Sequence, residues 1–251
     1  MSGAIRPVGQ TPAVIGVLML DTQFPRPKGD VGHAETFGVA MHYDVFKGVW
    51  PAKVVTSAAS LHQARMVTGF QHMVRMMQAR GVQAVTTSCG FLVLLQKELQ
   101  SVTKLPVVTS SLLQLPAALA KEPQVGVLTI SASMLGKDHL RAAGVPKERV
   151  KDVIVQGMPQ GSHFVQQILG NQPALDLKIA EAEVVAAAIA LKARAPELKT
   201  LVLECTNMPP YQAAIEAATG WQIKSLQTDP RLRKVIDATT AAAAAPAQSS
   251  Q

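Results

Sequence analysis

Gln83–Phe91 reads QAVTTSCGF, and this stretch decides the fold. A short strand-forming run, Gln83–Thr87, passes through small polar residues straight into Gly90–Leu99, whose apolar spacing predicts a helix. Working outward, short apolar runs alternate with longer helical patterns, as in parallel α/β proteins. Upstream lie a strand at Ala13–Leu20 (AVIGVLML), a Pro/Gly-punctuated segment at Asp21–Gly32, a strand at Lys53–Thr56 and a helix over Ser60–Arg80. Downstream come a strand at Pro106–Thr109 and a helix at Leu112–Lys121.

The alternation then restarts. Gln124–Thr129 (QVGVLT) reads as a strand, Ala132–Ala143 as a helix closed by Gly144, and Val150–Val155 as a strand. Ser162–Leu169 and Leu175–Ala195 read as helices separated at Pro173. Lys199–Glu204 is a strand, Pro210–Ala218 a helix closed by Gly220, and Gln222–Ser225 a last short strand. Each half begins with a Val/Gly-rich strand and later reaches a strand that ends in a cysteine. The expected architecture is therefore α/β: two pseudo-symmetric lobes, each a mainly parallel sheet flanked by helices, with the active site in the cleft between them. The first lobe covers 1–110 and is completed by 215–238, the second covers 111–214, and the Ala/Pro/Ser/Gln-rich 239–251 reads as a disordered tail.

Composition narrows the function. Hydrophobic residues make up 48% of the 251 and charged residues 16%, as expected for a globular chain with a sizeable core. Aromatics are only 4%, which argues against base-stacking surfaces. The net charge of +7 is scattered, with no basic run or nucleic-acid motif, and a mildly positive field also collects small carboxylates. Met1–Thr11 lacks the order of a signal peptide, and no apolar run approaches the roughly 20 residues of a membrane span. A cytoplasmic protein with reduced thiols is expected, with no nucleic-acid or membrane partner.

Two cysteines carry the chemistry. Cys89 sits in Thr86–Phe91 (TTSCGF) and Cys205 in Leu203–Met208 (LECTNM), each where a strand gives way to a helix. In open α/β sheets that is where ligands bind. A helix N-terminus there favours a thiolate and a substrate carboxylate together. A lone strand-end cysteine is often a small buried hydrophobe, but the only two cysteines at matching junctions of matching halves point to function. The spacing of a zinc site is missing, so no metal is expected. One thiolate on each side of a carbon α to a carboxylate could remove a proton from one face and return it to the other, with neighbouring hydroxyl, amide and N–H groups stabilising the developing charge.

On these residues the chain resembles the aspartate/glutamate racemase superfamily, which includes hydantoin racemases, maleate isomerases and arylmalonate decarboxylases. The resemblance covers the first strand, TTSCGF, VGVLT and LECTNMPPY. It implies two pseudo-symmetric α/β lobes, no cofactor (pyridoxal phosphate included), a homodimer, and catalytic roles for Cys89 and Cys205. Two departures argue against an ordinary glutamate racemase: Asn207 stands where those enzymes carry His after Cys-Thr, and Gly90-Phe91 replaces their Asn and Thr. Leu20-Asp21 with Pro25–Asp30 (PRPKGD), Thr36-Phe37-Gly38, and Cys89-Gly90-Phe91 with Gln96 look more like the algal dimethylsulfoniopropionate lyase branch, in which α-proton abstraction leads to β-elimination.

The leading expectation is a cofactor-independent racemase or isomerase of a small carboxylate, an amino acid or analogue. A lyase of the same superfamily is the first alternative, and a non-catalytic small-ligand-binding protein the second. Expected substrate-binding residues are Asp21, Thr87, Ser88, Gly90, Thr129, Thr206 and Asn207. Asp30 is read as a turn residue, His33 and Glu35 as solvated loop residues, and Ser162 as the cap of the helix that begins at His163.

Overall fold

The run Ala13–Leu20 becomes strand β1 (Ile15–Leu20), buried along its whole length, as a central strand of a doubly covered parallel sheet must be. The computed structural model describes residues 14–56, 61 and 64–244. After β1 come β2 (Met41–Phe46), the short helix α1 (Pro51–Val54), the long helix α2 (Ala64–Ala79) and β3 (Ala84–Thr87). A 3-10 turn at Gly90–Leu95 leads into α3 (Gln96–Gln100), followed by β4 (Val107–Val108). These four strands form one parallel sheet in the order β2-β1-β3-β4.

The second half repeats the plan. A 3-10 turn at Ser111–Gln114 enters α4 (Leu115–Leu119), and then come β5 (Val125–Thr129), α5 (Lys137–Ala142), β6 (Val153–Gly157), α6 (His163–Leu169), α7 (Leu177–Arg194) and β7 (Thr200–Leu203). A turn at Pro209–Tyr211 leads into α8 (Gln212–Thr219), then β8 (Gln222–Lys224) and α9 (Pro230–Ala244). The strand order is β6-β5-β7-β8, again all parallel. The two sheets share one topology, so β3 and β7, the strands that precede the cysteines, are equivalent. This is the two-lobe α/β architecture expected from the alternation.

Three local expectations change. Lys53–Thr56 is not a strand: Pro51 occupies the first turn of a helix, its fixed φ favouring that start, and this overrides the β-branched residues Val54, Val55 and Thr56. The second strand is Met41–Phe46, an edge strand whose residues are all partly exposed, so it lacks the apolar signature of β1. Residues 239–244, expected to be disordered, extend α9, whose Leu232 and Ile236 pack with Val14, Ile15 and Val17 on the first sheet; 245–251 lie outside the described residues. Within 215–238, expected to return to the first lobe, Gln222–Lys224 hydrogen-bonds to β7 in the second sheet, while α9 packs on the first.

One core runs through both lobes. It joins Leu18, Phe70, Met77, Val85 and Leu92 from the first half to Val127, Phe164, Val184, Leu201 and Ile215 from the second. Gly220, at φ 72°, ends α8 in the left-handed region that glycine enters without cost. Among the described residues no helix is long and apolar enough to cross a membrane.

Candidate active site

β3 ends on a knot of hydroxyl bonds. Thr86 donates to the Val108 carbonyl and Thr87 to the Thr109 carbonyl, each at 2.8 Å. The Ser88 N–H reaches the Leu18 carbonyl at 3.0 Å, and Ser88 Oγ accepts from the Leu20 N–H at 2.9 Å. Cys89 follows in an extended conformation and caps the 3-10 turn, its carbonyl accepting from the Leu92 N–H at 3.1 Å. In the second lobe the Glu204 N–H reaches the Leu128 carbonyl at 2.9 Å, and the Cys205 carbonyl accepts from Met208 at 3.1 Å. Both cysteines are free and buried.

The lobes are tied together at these two junctions. Thr206 donates its hydroxyl to the Ser88 carbonyl at 2.7 Å. Gly90 lies so close to the opposite lobe that a Cβ there would come within 2.3 Å of both the Glu204 carbonyl oxygen and Glu204 Oε1. Its glycine identity reflects this close approach and not an unusual turn.

A chain of polar contacts orients Cys205. The Asp30 carboxylate, 1% exposed, accepts from Arg26 Nη1 at 2.9 Å, the Gly32 N–H at 2.7 Å and Asn207 Nδ2 at 2.6 Å. Because a carboxylate can only accept, the Asn207 amide must turn its NH2 toward Asp30. Its Oδ1 then faces Cys205 and accepts from the thiol, Sγ to Oδ1 3.6 Å. This arrangement suits a protonated Cys205.

Burial also opposes the thiolates expected at helix starts. The Cys89 thiol is pushed up to about 12, first by burial and then by the Glu204 carboxylate; the N–H groups of Phe91 and Leu92 and the charge of Arg26 pull the other way but lose. Cys205 is likewise pushed well above an ordinary thiol, by burial first and Glu204 second. Both thiols are therefore protonated at rest. Glu204 itself is pushed up to about 7 by burial, against the hydrogen bond that Thr129 Oγ1 gives its Oε2 at 2.7 Å. Its Oε1 is buried and, among the described residues, has no hydrogen-bond partner.

Cys89 and Cys205 line one narrow pocket. Ser88, Gly90, Thr206 and Asn207 share the lining with Thr22 and Glu204, and the rest is apolar, including Phe24, Phe91, Ile130 and Ile168. Three expected binding residues are elsewhere. Asp21, expected to point into the cleft, turns its carboxylate to the Gly48 N–H at 2.9 Å and Lys47 Nζ at 3.3 Å; the Gly48 bond, foremost, holds its pKa below the usual value. Thr87 is fully buried against β4, and Thr129 lies behind the wall, reaching the pocket only through Glu204. His33 and Glu35 stay on the loop outside, Glu35 paired with Lys28. Ser162 caps α6 as expected, its Oγ accepting from the Val165 N–H at 3.3 Å.

Sequence reasoning missed Glu204, Asp30 and Arg26. A carboxylate closing the apolar run KTLVLE next to a cysteine was a usable signal for Glu204; the pairing of Asp30 with Asn207, 177 positions away, left none. Among the described residues no group of three or more His, Cys, Asp or Glu side chains is placed to hold a metal ion.

The fold and the cleft define a class: a two-lobe α/β protein with racemase-like architecture. The solved structures it resembles include the allantoin racemase of Pseudomonas fluorescens (TM-score 0.53, 18% identity, 91% of each chain). They also include a variant of arylmalonate decarboxylase in its sulfate-associated form (0.53, 13%, 89% of this chain and 93% of that one). A third is the glutamate racemase of Francisella tularensis with D-glutamate (0.52, 15%, 92% and 81%). At such identities the likeness is one of fold alone.

The sequence relatives are narrower in name. The chain is 28% identical over 225 residues to a dimethylsulfoniopropionate lyase of Durusdinium sp. clade D, covering 85% of this chain and 73% of that protein. It is 31% identical over 218 residues to dimethylsulfoniopropionate lyase 3 of Emiliania huxleyi (strain CCMP1516), covering 82% of this chain and 55% of that one. Lyase 7 of the same strain matches at 29% over 216 residues, covering 82% and 61%. This chain thus spans only 55–61% of the length of these two Emiliania relatives. No family model matches the chain.

Proposed function

We propose that this protein is a cofactor-independent enzyme that removes the proton α to the carboxylate of a small substrate and completes a β-elimination, with dimethylsulfoniopropionate as the first substrate to test. The observation that carries this reading is the convergence of the two cysteines, one from each lobe, on a single mostly apolar pocket. The sequence relatives favour elimination over racemisation, and Phe91 in the lining suits a methylated sulfonium cation, which aromatic rings attract, whereas the Phe24 ring already carries the Arg26 guanidinium.

Cys89 is the base in this reading, because the N–H groups of Phe91 and Leu92 favour its thiolate and, among the described residues, no side-chain acceptor engages its proton. A cation entering the buried pocket further favours that thiolate. The thiolate takes the α-proton, the C–H pair becomes the Cα=Cβ bond, and the Cβ–S bond breaks with its pair going to sulfur. Neutral dimethyl sulfide leaves without needing a proton, acrylate remains, and Cys89 returns its proton to water. Cys205, held as a thiol by Asn207, faces the charge gathering on the substrate carboxylate.

Headspace analysis of purified protein with dimethylsulfoniopropionate is the test. The wild type should release dimethyl sulfide, and Cys89→Ser should lose at least about 10²-fold in kcat, in line with loss of a general base. Cys205→Ser should be impaired less. Undiminished release by Cys89→Ser would refute the assignment. The second thiol favours a second reading, amino-acid racemisation: α-deuterium exchange with stereoinversion in heavy water, lost in both cysteine variants and without sulfide release, would select it. Binding without exchange or release would mark a non-catalytic binding protein.

A further inference from the structure

The pocket lacks a cation for the carboxylate it is proposed to hold: among the described residues no Lys or Arg lines it. Of its neutral donors, the Thr206 hydroxyl is spent on the Ser88 carbonyl and the Asn207 amide on Asp30, while the Ser88 and Thr22 hydroxyls, whose oxygens accept from the Leu20 N–H and Arg26 Nη2, keep a hydrogen to give. Glu204 lies beside them, 1% exposed, with Oε2 held by the Thr129 hydroxyl and Oε1 buried, among the described residues without a partner, against Gly90, itself a lining residue. An ionised Glu204 would set a second carboxylate against the substrate's in a water-poor wall, whereas a protonated one adds a donor and satisfies its own orphaned oxygen.

We propose that Glu204 serves as a carboxylic acid, donating a hydrogen bond from Oε1 to the carboxylate of the bound substrate. The inference rests on the reading above that the pocket takes a small carboxylate. Burial favours the proton on Glu204. Cys89 from the first lobe and Cys205 from the second, both protonated, bring no positive charge to oppose it. Asp30 adds negative potential near Cys205, and Arg26, the nearby cation, is engaged by Asp30 and Thr22. His139 on α5 lies behind the Phe91 ring and is held neutral by burial, and Tyr211 also stays neutral. Thr129 alone favours the ionised form. A carboxylate ligand should therefore bind only to the protonated pocket and take up a proton wherever Glu204 was ionised beforehand.

Calorimetric titration with propionate, in buffers of different ionisation heat between pH 6 and 9, tests this without requiring turnover. In the wild type, affinity should fall about tenfold per pH unit above about 7, with uptake approaching one proton. Glu204→Gln, which keeps an acceptor for Thr129 and a permanent donor, should bind propionate with flat pH dependence and no proton uptake. Thr129→Val removes the bond that favours ionisation, so its falling limb should move to higher pH, and this variant decides the matter should Glu204→Gln not fold. Unchanged slope and uptake in Glu204→Gln, an unmoved limb in Thr129→Val, or no propionate binding by the wild type at any pH would overturn the proposal. Proton-linked propionate binding without sulfide release would leave it standing and remove only the lyase reading.

Discussion

Asp30 shows how much of a site can rest on one buried charge. It is the counter-ion of Arg26 and the acceptor that fixes the Asn207 amide. Replacing it with Ala leaves the mostly buried Arg26 uncompensated, which should cost about 3–5 kcal/mol of stability in urea unfolding. Asp30→Asn is gentler in volume but lets the Asn207 amide flip, so kcat should fall further than stability alone explains. A stability change below about 1 kcal/mol for Asp30→Ala would contradict this account. Gly90→Ala places a methyl on the Glu204 backbone and carboxyl at once and should force the junctions apart, costing about 1–3 kcal/mol, as overpacking does, and most of the turnover. The cysteines were legible because their residue type is rare and their junctions local. Asp30 was not, because a turn aspartate and a buried ion-pair partner read alike until the fold closes.

At the scale of elements, legibility followed burial. β1, β3, β5 and β7 are buried throughout and announced themselves as apolar runs. β2 sits at a sheet edge with half-exposed residues, and such a strand carries little sequence signal. The helix α6 supplies Ile168 and Leu169 to the pocket wall, and its start is held from outside. Glu183 on α7 accepts the N–H groups of His163 and Phe164, both at 2.8 Å, which satisfies donors that would otherwise be orphaned. Glu183→Ala should therefore destabilise the protein by about 1–2 kcal/mol, the scale of a lost helix cap. Because the frayed turn bears on the pocket wall, it should raise KM more than it lowers kcat. Thermal unfolding and steady-state kinetics with the same variant separate the two effects, and an unchanged melting temperature would show that α6 is held by its packing alone.

Across the whole molecule the lobes meet at the site, Thr206 with Ser88 and Asn207 with Asp30, and beside it, where Asn171 Nδ2 donates to the Asp21 carbonyl at 3.0 Å. Burying Glu204 at this junction makes stability depend on pH. Its folded-state pKa, about 7, lies above the ordinary 4.5, so between those values the folded protein holds a proton that the unfolded chain has released. Its stabilising contribution is full below about 4.5 and is lost as pH rises through 7, by an amount on the order of 3 kcal/mol. His139 acts at the other side: burial lowers its pKa from 6.5 to about 4, so the folded state loses ground as pH falls through that window, where the unfolded chain takes the proton first. Between about pH 4.5 and 6.5 the two slopes oppose and cancel, so together they leave a shallow plateau of stability at mildly acidic pH. Subtracting the unfolding free energy of the wild type from that of Glu204→Gln isolates the first effect from every other titration. The difference should rise steadily in favour of the variant from pH 4.5 to 7 and level off above. A difference independent of pH would mean that Glu204 titrates alike in the folded and unfolded chains, and that the cleft is wetter than its geometry implies.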